Sequence, residues 1–412
     1  MERLISALGV VFFMGVAFLF CPSALRKKVN WRTIGLGLLL LIGFAILVLH
    51  TPVKYVFKFA NDFVDTLLDF SKAGAKFIFG GLGVDAPPIG FVFAFQILPT
   101  IIFFAAFMAV LYYLGVMPFI IKNMARFISK FLGVSGAESF STVSDIFVGQ
   151  TEAPLVIRPY IATLTQSELI ACMTAGFATT AGGVLVAYVG MLRDFIPEIA
   201  GHLIACSVMC APAAIVIAKL MLPESEEPKT LGTTTIDIPR VDANIVDAAA
   251  RGTTDGMRLA ANVAAMLISF VALTAMIDFG LHKLGTSLEQ ILGWVFWPFS
   301  WVMGVPPEDV TKIATLLGKK MVFTELIAYQ DMSQMLKDSN GTWLTPRGQL
   351  IASYALCGFA NFASIGIQIG GYSGLCPERR GDLSRLGFRA MLGGMLTTCL
   401  VAAVAGLLLG GN

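Results

Sequence analysis

The sequence predicts an all-α polytopic membrane protein: eight spanning helices, two oppositely oriented re-entrant hairpins and several interfacial helices, arranged as an inverted repeat. Three observations predict it. Mean hydropathy is +0.78 and only 14% of the 412 residues are charged, where soluble domains carry about 25%. Several apolar stretches reach the roughly 20 residues that span a hydrocarbon core. Two acid-bearing segments, 134–164 and 306–338, interrupt that pattern at matching places.

Composition also excludes function classes. Net charge is +2 and the basic residues are scattered, with no aromatic platform between them, so nucleic acid is not a partner. The seven cysteines lie in or at the end of apolar stretches and suit buried hydrophobes better than disulfides. His50, His202 and His282 fall at predicted segment ends and make no zinc spacing. No HExxH, GxSxG or P-loop pattern is present, which argues against an intramembrane enzyme.

Residues 4–20 form the first span, and Arg26-Lys27-Lys28 follow it. A cleaved signal peptide carries its basic region before the apolar run, so this helix is read as retained, its N-terminus outside and its basic loop cytoplasmic. Residues 33–49 return outward to Pro52, which ends the helix. Residues 53–78 alternate charges with aromatics, as an amphipathic interfacial helix does. A Gly- and Pro-containing loop, 80–90, leads to the third span, 91–114. Residues 117–132 then place Lys122, Arg126 and Lys130 along one face of a cytoplasmic interfacial helix.

Segment 134–164 carries Glu138, Asp145, Glu152 and Arg158. Each would cost about 2.5–3.5 kcal/mol at the centre of a lipid-exposed helix. Two short limbs joined by the polar tip Gly149-Gln150-Thr151-Glu152-Ala153-Pro154 fit a hairpin buried in protein. Spans follow at 167–192 and 199–222, then a polar cytoplasmic loop, 223–256, and a span at 258–281. Residues 288–303 are Trp-rich and interfacial, and 306–338 form the second hairpin, entering from outside. The last spans are 348–373 and 390–409, with Arg379, Arg380, Arg385 and Arg389 between them in the cytoplasm.

The repeat shows in Gly176-Phe177-Ala178-Thr179-Thr180-Ala181 and Gly358-Phe359-Ala360-Asn361-Phe362-Ala363, which match at four of six positions. Each copy follows a hairpin whose tip holds Thr-Glu, Thr151-Glu152 or Thr324-Glu325. An odd number of spans separates the hairpins, so the copies are inverted. Inverted repeats with interrupted helices hold substrate and ion sites near the midplane of secondary transporters. Close helix packing is the other use of such small residues.

These residues resemble the concentrative nucleoside transporter family. The matching pieces are Val148-Gly149-Gln150-Thr151-Glu152-Ala153-Pro154-Leu155, Ala181-Gly182-Gly183-Val184, Thr324-Glu325-Leu326-Ile327-Ala328-Tyr329 and Cys357-Gly358-Phe359-Ala360-Asn361-Phe362-Ala363-Ser364. The resemblance implies a homotrimer in the bacterial inner membrane that imports a nucleoside with a cation by an elevator-type movement. It implies scaffold helices over 1–115, a first transport repeat over 116–222, a cytoplasmic loop and scaffold helix over 223–287, and a second transport repeat over 288–412. By position, Gln150, Thr151, Glu152 and Val184 would meet the base, with Phe359 beside it. Glu325, Asn361 and Ser364 would bind the ribose hydroxyls. Uridine is the expected type of substrate, with adenosine as the alternative.

Sodium would sit among Asp145, Val148, Thr179 and Thr180. The chain departs from the family pattern there, because sodium-coupled members carry Asn in place of Asp145. Thr179-Thr180 and Thr324 also depart from the usual residues. An aspartate alone at the midplane must be neutralised by sodium, by a proton or by a base such as Arg158, so proton coupling stands beside sodium coupling.

Overall fold

The computed structural model describes residues 2–50, 54–83, 92–232 and 242–408. Pro52, most of the Gly- and Pro-containing loop and the centre of the polar loop lie outside the described residues. The described chain is helical, without a strand. Its helices are α1 (Glu2–Leu19), α2 (Trp31–His50), α3 (Lys54–Phe79), α4 (Phe93–Gln96), α5 (Leu98–Tyr113), α6 (Val116–Leu132), α7 (Gly136–Asp145), α8 (Ala153–Val156), α9 (Gln166–Ala178), α10 (Gly182–Leu192), α11 (Ile199–Met221), α12 (Ile245–His282), α13 (Leu288–Val302), α14 (Val310–Val322), α15 (Glu325–Asp338), α16 (Pro346–Leu356), α17 (Phe362–Leu375) and α18 (Arg380–Leu408).

Six of the predicted spans stand out by length and apolarity among the described residues: α1, α2, α4–α5, α9–α10, α11 and the helix that ends in α18. The other two are α12 and α16–α17. The first is apolar and free of charged residues over 259–276, and the second is cut in two by a break at Cys357–Asn361. Helices α3, α6 and α13 match the three predicted interfacial helices.

Local sequence sets the helix starts inside the apolar mass. Ser135 and Glu138 form a reciprocal capping box on α7, and Thr165 and Glu168 form another on α9. Thr324 caps α15 through the Ile327 N–H, and Asn361 caps α17 through the Ser364 N–H. Each cap satisfies amides that neither lipid nor an apolar core could. The two hairpins differ in build. The second is a pair of helices, α14 and α15, whereas the return limb of the first is the short α8 followed by a 3₁₀ stretch, Arg158–Thr163. Pro154 and Pro159 sit at the starts of those two pieces, where proline's missing N–H costs nothing but helix continuation is cut.

Helix α5 pairs along its length with α12, where Gly252 and Gly256 let the backbones touch. A Cβ at Gly252 would lie 2.6 Å from Ala109 Cβ and 2.7 Å from the Ala105 carbonyl oxygen. Helices α1 and α2, by contrast, pack against α11 and α18, beside the hairpins and breaks. Helix α11 is buried along nearly its whole length, and α1 on one face only.

At the centre the two helix breaks cross. The Gly358 N–H donates to Thr180 Oγ1 at 2.9 Å. Gly358 has φ +96°, and a Cβ there would lie 2.4 Å from the Ala178 carbonyl oxygen. Left-handed backbone costs a non-glycine residue about 1–2 kcal/mol, before the collision with backbone atoms that cannot move aside. Gly358→Ala is therefore expected to lower the thermal stability of the purified protein in detergent. Gly366→Ala, at a helical glycine with open space around it, is expected to leave it unchanged or raise it. Equal melting temperatures for the wild type and Gly358→Ala would refute the close crossing.

Candidate functional site

The tip of the first hairpin is seated in the first break. Gly149 turns with φ +84°, and a Cβ on it would sit 2.6 Å from Ala181 Cβ. The Gly182 N–H donates to the Phe147 carbonyl at 3.1 Å, tying the start of α10 to the hairpin. That seating turns Gln150 inward, where it is nearly fully buried.

From Gln150 a chain of hydrogen bonds runs to the second hairpin. Gln150 Nε2 donates to Ser364 Oγ at 3.1 Å. The Ser364 N–H donates to Asn361 Oδ1 at 2.8 Å. Asn361 Nδ2 donates to Glu325 Oε2 at 3.0 Å, and the Tyr188 hydroxyl donates to Glu325 Oε1 at 2.9 Å. Four of the predicted substrate residues, Gln150, Glu325, Asn361 and Ser364, are thus joined across both repeats. A carboxylate offers about four acceptor positions, so Glu325 keeps room for a further donor. Val184, in the first turn of α10, is buried; Phe359, in the second break, is half-buried. Neither side chain has a polar link to the chain, but the Asn361 N–H donates to the Phe359 carbonyl at 2.8 Å.

Thr151 and Glu152 take a different place. They are exposed at the hairpin tip and line a cavity of about 510 Å³ between that tip and the α5–α12 pair. Val148 and Gly182 share its wall, and Asp242, Arg251, Asp255 and Arg258 stand on its α12 side. Arg251 grips Asp242 with two bonds, Nε to Oδ1 at 2.6 Å and Nη2 to Oδ2 at 2.8 Å. The hydrogen bonds from Arg251 hold the Asp242 carboxyl below its ordinary range.

Asp145 ends α7 and is buried, and its Oδ2 has no hydrogen-bond partner. Arg158, a conceivable counter-charge, is exposed, and Asp145 makes no ion pair among the described residues. Thr179 and Thr180 form the adjoining break. The Thr179 hydroxyl donates to the Ala175 carbonyl at 2.9 Å, which leaves its oxygen lone pairs free. Thr180 Oγ1 already accepts from Gly358 and meets Cys357 Sγ at 3.3 Å. An unpartnered buried carboxylate oxygen suits a hard monovalent cation or a proton.

Several residues at the site carry no assigned role in the sequence reading. Tyr188 and Tyr329 stack at 4.3 Å between ring centroids, behind Glu325. Gln368 Nε2 donates to Gln150 Oε1 at 3.0 Å and to the Met173 carbonyl at 3.1 Å, so it aims the Gln150 amide. A Cβ on Gly176 would lie within 2.7 Å of Gln368 Nε2 and 3.3 Å of Asp145 Oδ1, which places that amide beside the acid. Gln368 is a polar residue inside an apolar run, Ile367-Gln368-Ile369, and that signal was available in the sequence.

Comparison with known proteins gives this geometry a family. Models of the Na+ dependent nucleoside transporter match the chain over residues 8–82 for the N-terminal part and 202–406 for the C-terminal part. A nucleoside recognition model covers residues 94–195 between them. The chain belongs to the concentrative nucleoside transporter family. It is a multi-pass membrane transporter and not an enzyme. An uncharacterised transporter of Haemophilus influenzae is 41% identical, covering 100% of this chain and 99% of its own length. The uncharacterised transporter YutK of Bacillus subtilis is 40% identical over 99% of this chain and 100% of its own. Sodium/nucleoside cotransporter 1 of rat is 39% identical over 99% of this chain, and the chain spans 64% of that protein's length. A solved structure of CNTnw in an inward-facing substrate-bound state superposes with a TM-score of 0.90 at 40% identity, covering 99% of this chain and 98% of that one. A substituted CNTnw in an outward-facing state superposes with a TM-score of 0.91, also at 40% identity and the same coverage.

In this transporter Gln368 makes a sharp test of the site. Gln368→Leu leaves Gln150 Oε1 without its donor. A buried acceptor left unpaired costs about 1–3 kcal/mol. Nucleoside affinity, measured by calorimetry on purified protein, is expected to fall about tenfold or more. Unchanged affinity would detach Gln368 from the site.

Proposed function

We propose that the chain is a cation-coupled nucleoside importer of the bacterial inner membrane, working as a homotrimer by elevator-type movement. The hydrogen-bonded chain from Gln150 to Glu325 carries this reading. It joins an amide suited to a base edge with a carboxylate suited to a pair of ribose hydroxyls, one from each repeat. A nucleoside entering the site would take over the Gln150–Ser364 bond with its base. Its hydroxyls would donate to the Glu325 carboxylate. Thr151 and Glu152, on the cavity wall, would meet the base as it arrives, with Val184 and Phe359 as apolar flanks. The two hairpins, the two interrupted helices and the packed α1, α2, α11 and α18 would move together against α5 and α12.

Sodium is the favoured coupling ion. The family description names it, as do the names of the mammalian relatives, and the unpartnered Asp145 supplies the negative charge it would neutralise. Asp145, Val148, Thr179 and Thr180 would hold it as cargo beside the nucleoside. A proton on Asp145 is the second reading, favoured by the same unpartnered oxygen.

Uptake of labelled uridine and of adenosine into proteoliposomes, under separate sodium and proton gradients, tests both readings. Sodium-driven uptake with a raised sodium requirement in Asp145→Asn is the expected outcome. Uptake that follows a pH gradient without sodium and is uncoupled by Asp145→Asn would assign the proton. Glu325→Gln removes charge-assisted bonds of about 1.5–3 kcal/mol each and is expected to lower nucleoside affinity at least about tenfold. Competition by free bases as strong as by nucleosides would contradict the ribose assignment.

A further inference from the structure

Lys320 is a buried base without a carboxylate partner. It has no exposed surface, and it makes no ion pair among the described residues. Its Nζ lies 2.9 Å from the Ala355 carbonyl oxygen, 3.1 Å from that of Cys357 and 3.0 Å from Thr398 Oγ1. The two carbonyls stand where α16 stops at Leu356 and can no longer bond forward along a helix. They can only accept. The Thr398 hydroxyl gives its own hydrogen to the Met395 carbonyl at 3.1 Å, so it also accepts from the lysine. Three acceptors require three N–H bonds, and only the ammonium form supplies them. A full positive charge is therefore fixed at the second break.

The first break presents the opposite charge at the matching place. Asp145 is the last residue of α7, the first limb of its hairpin. Lys320 lies in the last turn of α14, the first limb of the other. Each faces the interrupted helix that follows its own hairpin. Asp145 has an unpartnered oxygen, whereas Lys320 has every donor used. Across the second break from Lys320, Asn361 holds Glu325, so the ammonium and that carboxylate flank the same five-residue gap, Cys357–Asn361.

We infer that Lys320 is a tethered counter-ion. It fills in the second repeat the cation position that the first repeat leaves to a mobile cation, and its charge balances Glu325. This rests on the transport reading above. It follows that the second break admits no transported cation, and that one cation accompanies each nucleoside. A lysine suits the task because its compact ammonium meets three separate oxygens as a point charge, where a planar guanidinium would not.

The test combines a charge cycle with a charge count. Thermal unfolding in detergent is measured for the wild type, Lys320→Met, Glu325→Gln and the double variant. Methionine keeps the stem and removes the charge. Lys320→Met is expected to be strongly destabilised, and adding Glu325→Gln is expected to recover part of the loss, because it removes the charge left unbalanced while the Ala355 and Cys357 carbonyls stay without their donor. Simple addition of the two losses would overturn the counter-ion role. A Lys320→Met protein that folds only with Glu325→Gln present would count as the same rescue. Should neither variant fold, the wild type decides. Electrical recording from proteoliposomes is expected to give one charge moved per nucleoside, and two charges would put a mobile cation in the second break and overturn the inference. A wild type that takes up no nucleoside in any gradient would sink the transport reading instead, and the stability cycle would then judge Lys320 alone.

Discussion

The structure depends on backbone that has been released from its helix in the middle of an apolar mass. Where α9 and α16 stop, amides and carbonyls are freed far from water, and each must find a partner inside the protein. The partners come from the other repeat or from the adjoining hairpin. Thr180 takes the Gly358 N–H, Phe147 takes that of Gly182, and Lys320 takes the Ala355 and Cys357 carbonyls. The crossing of the breaks is thus what satisfies them, and it draws both hairpin tips to one place. Gly358 and Gly149 allow the approach because no Cβ stands in the way.

Charge is distributed by the same constraint. Ionised groups in this interior survive only where geometry meets their needs. Glu138 pairs with Lys219 at 2.8 Å beneath the first hairpin. Glu325 is held by Tyr188 and Asn361. Asp145 has no such partner for its Oδ2, and it shares the core of the first repeat with other unpartnered oxygens, those of Ser141, Ser144 and Thr174. The close α5–α12 pair forms one tight unit through Gly252 and Gly256, and α1 and α2 lie with the helices that enclose the breaks.

Much of this was legible in the residues. Apolar length set the spans. Acids in apolar surroundings marked both hairpins, because no lipid-facing helix tolerates them. Gln150, Glu325, Asn361 and Ser364 were named from motifs, and the structure joins them. The pairing of Gln368 with Gln150 and the stack of Tyr188 on Tyr329 were not legible. Those contacts span up to 218 positions, and no periodicity or spacing encodes them.

The sequence by itself determined the helical membrane class, the two hairpins, the two breaks and the residue types at the site. These follow from hydropathy and from the cost of burying charge, which are local properties of a segment. The tertiary structure alone decided which side α1 and α2 pack on. It also put Thr151 and Glu152 on an open cavity while Gln150 beside them is buried, and it made Lys320 a buried cation while Lys319, one residue earlier, pairs with Asp331 at 2.6 Å. Neighbouring residues on a helix point in different directions, and what each one meets depends on where the opposite repeat lies.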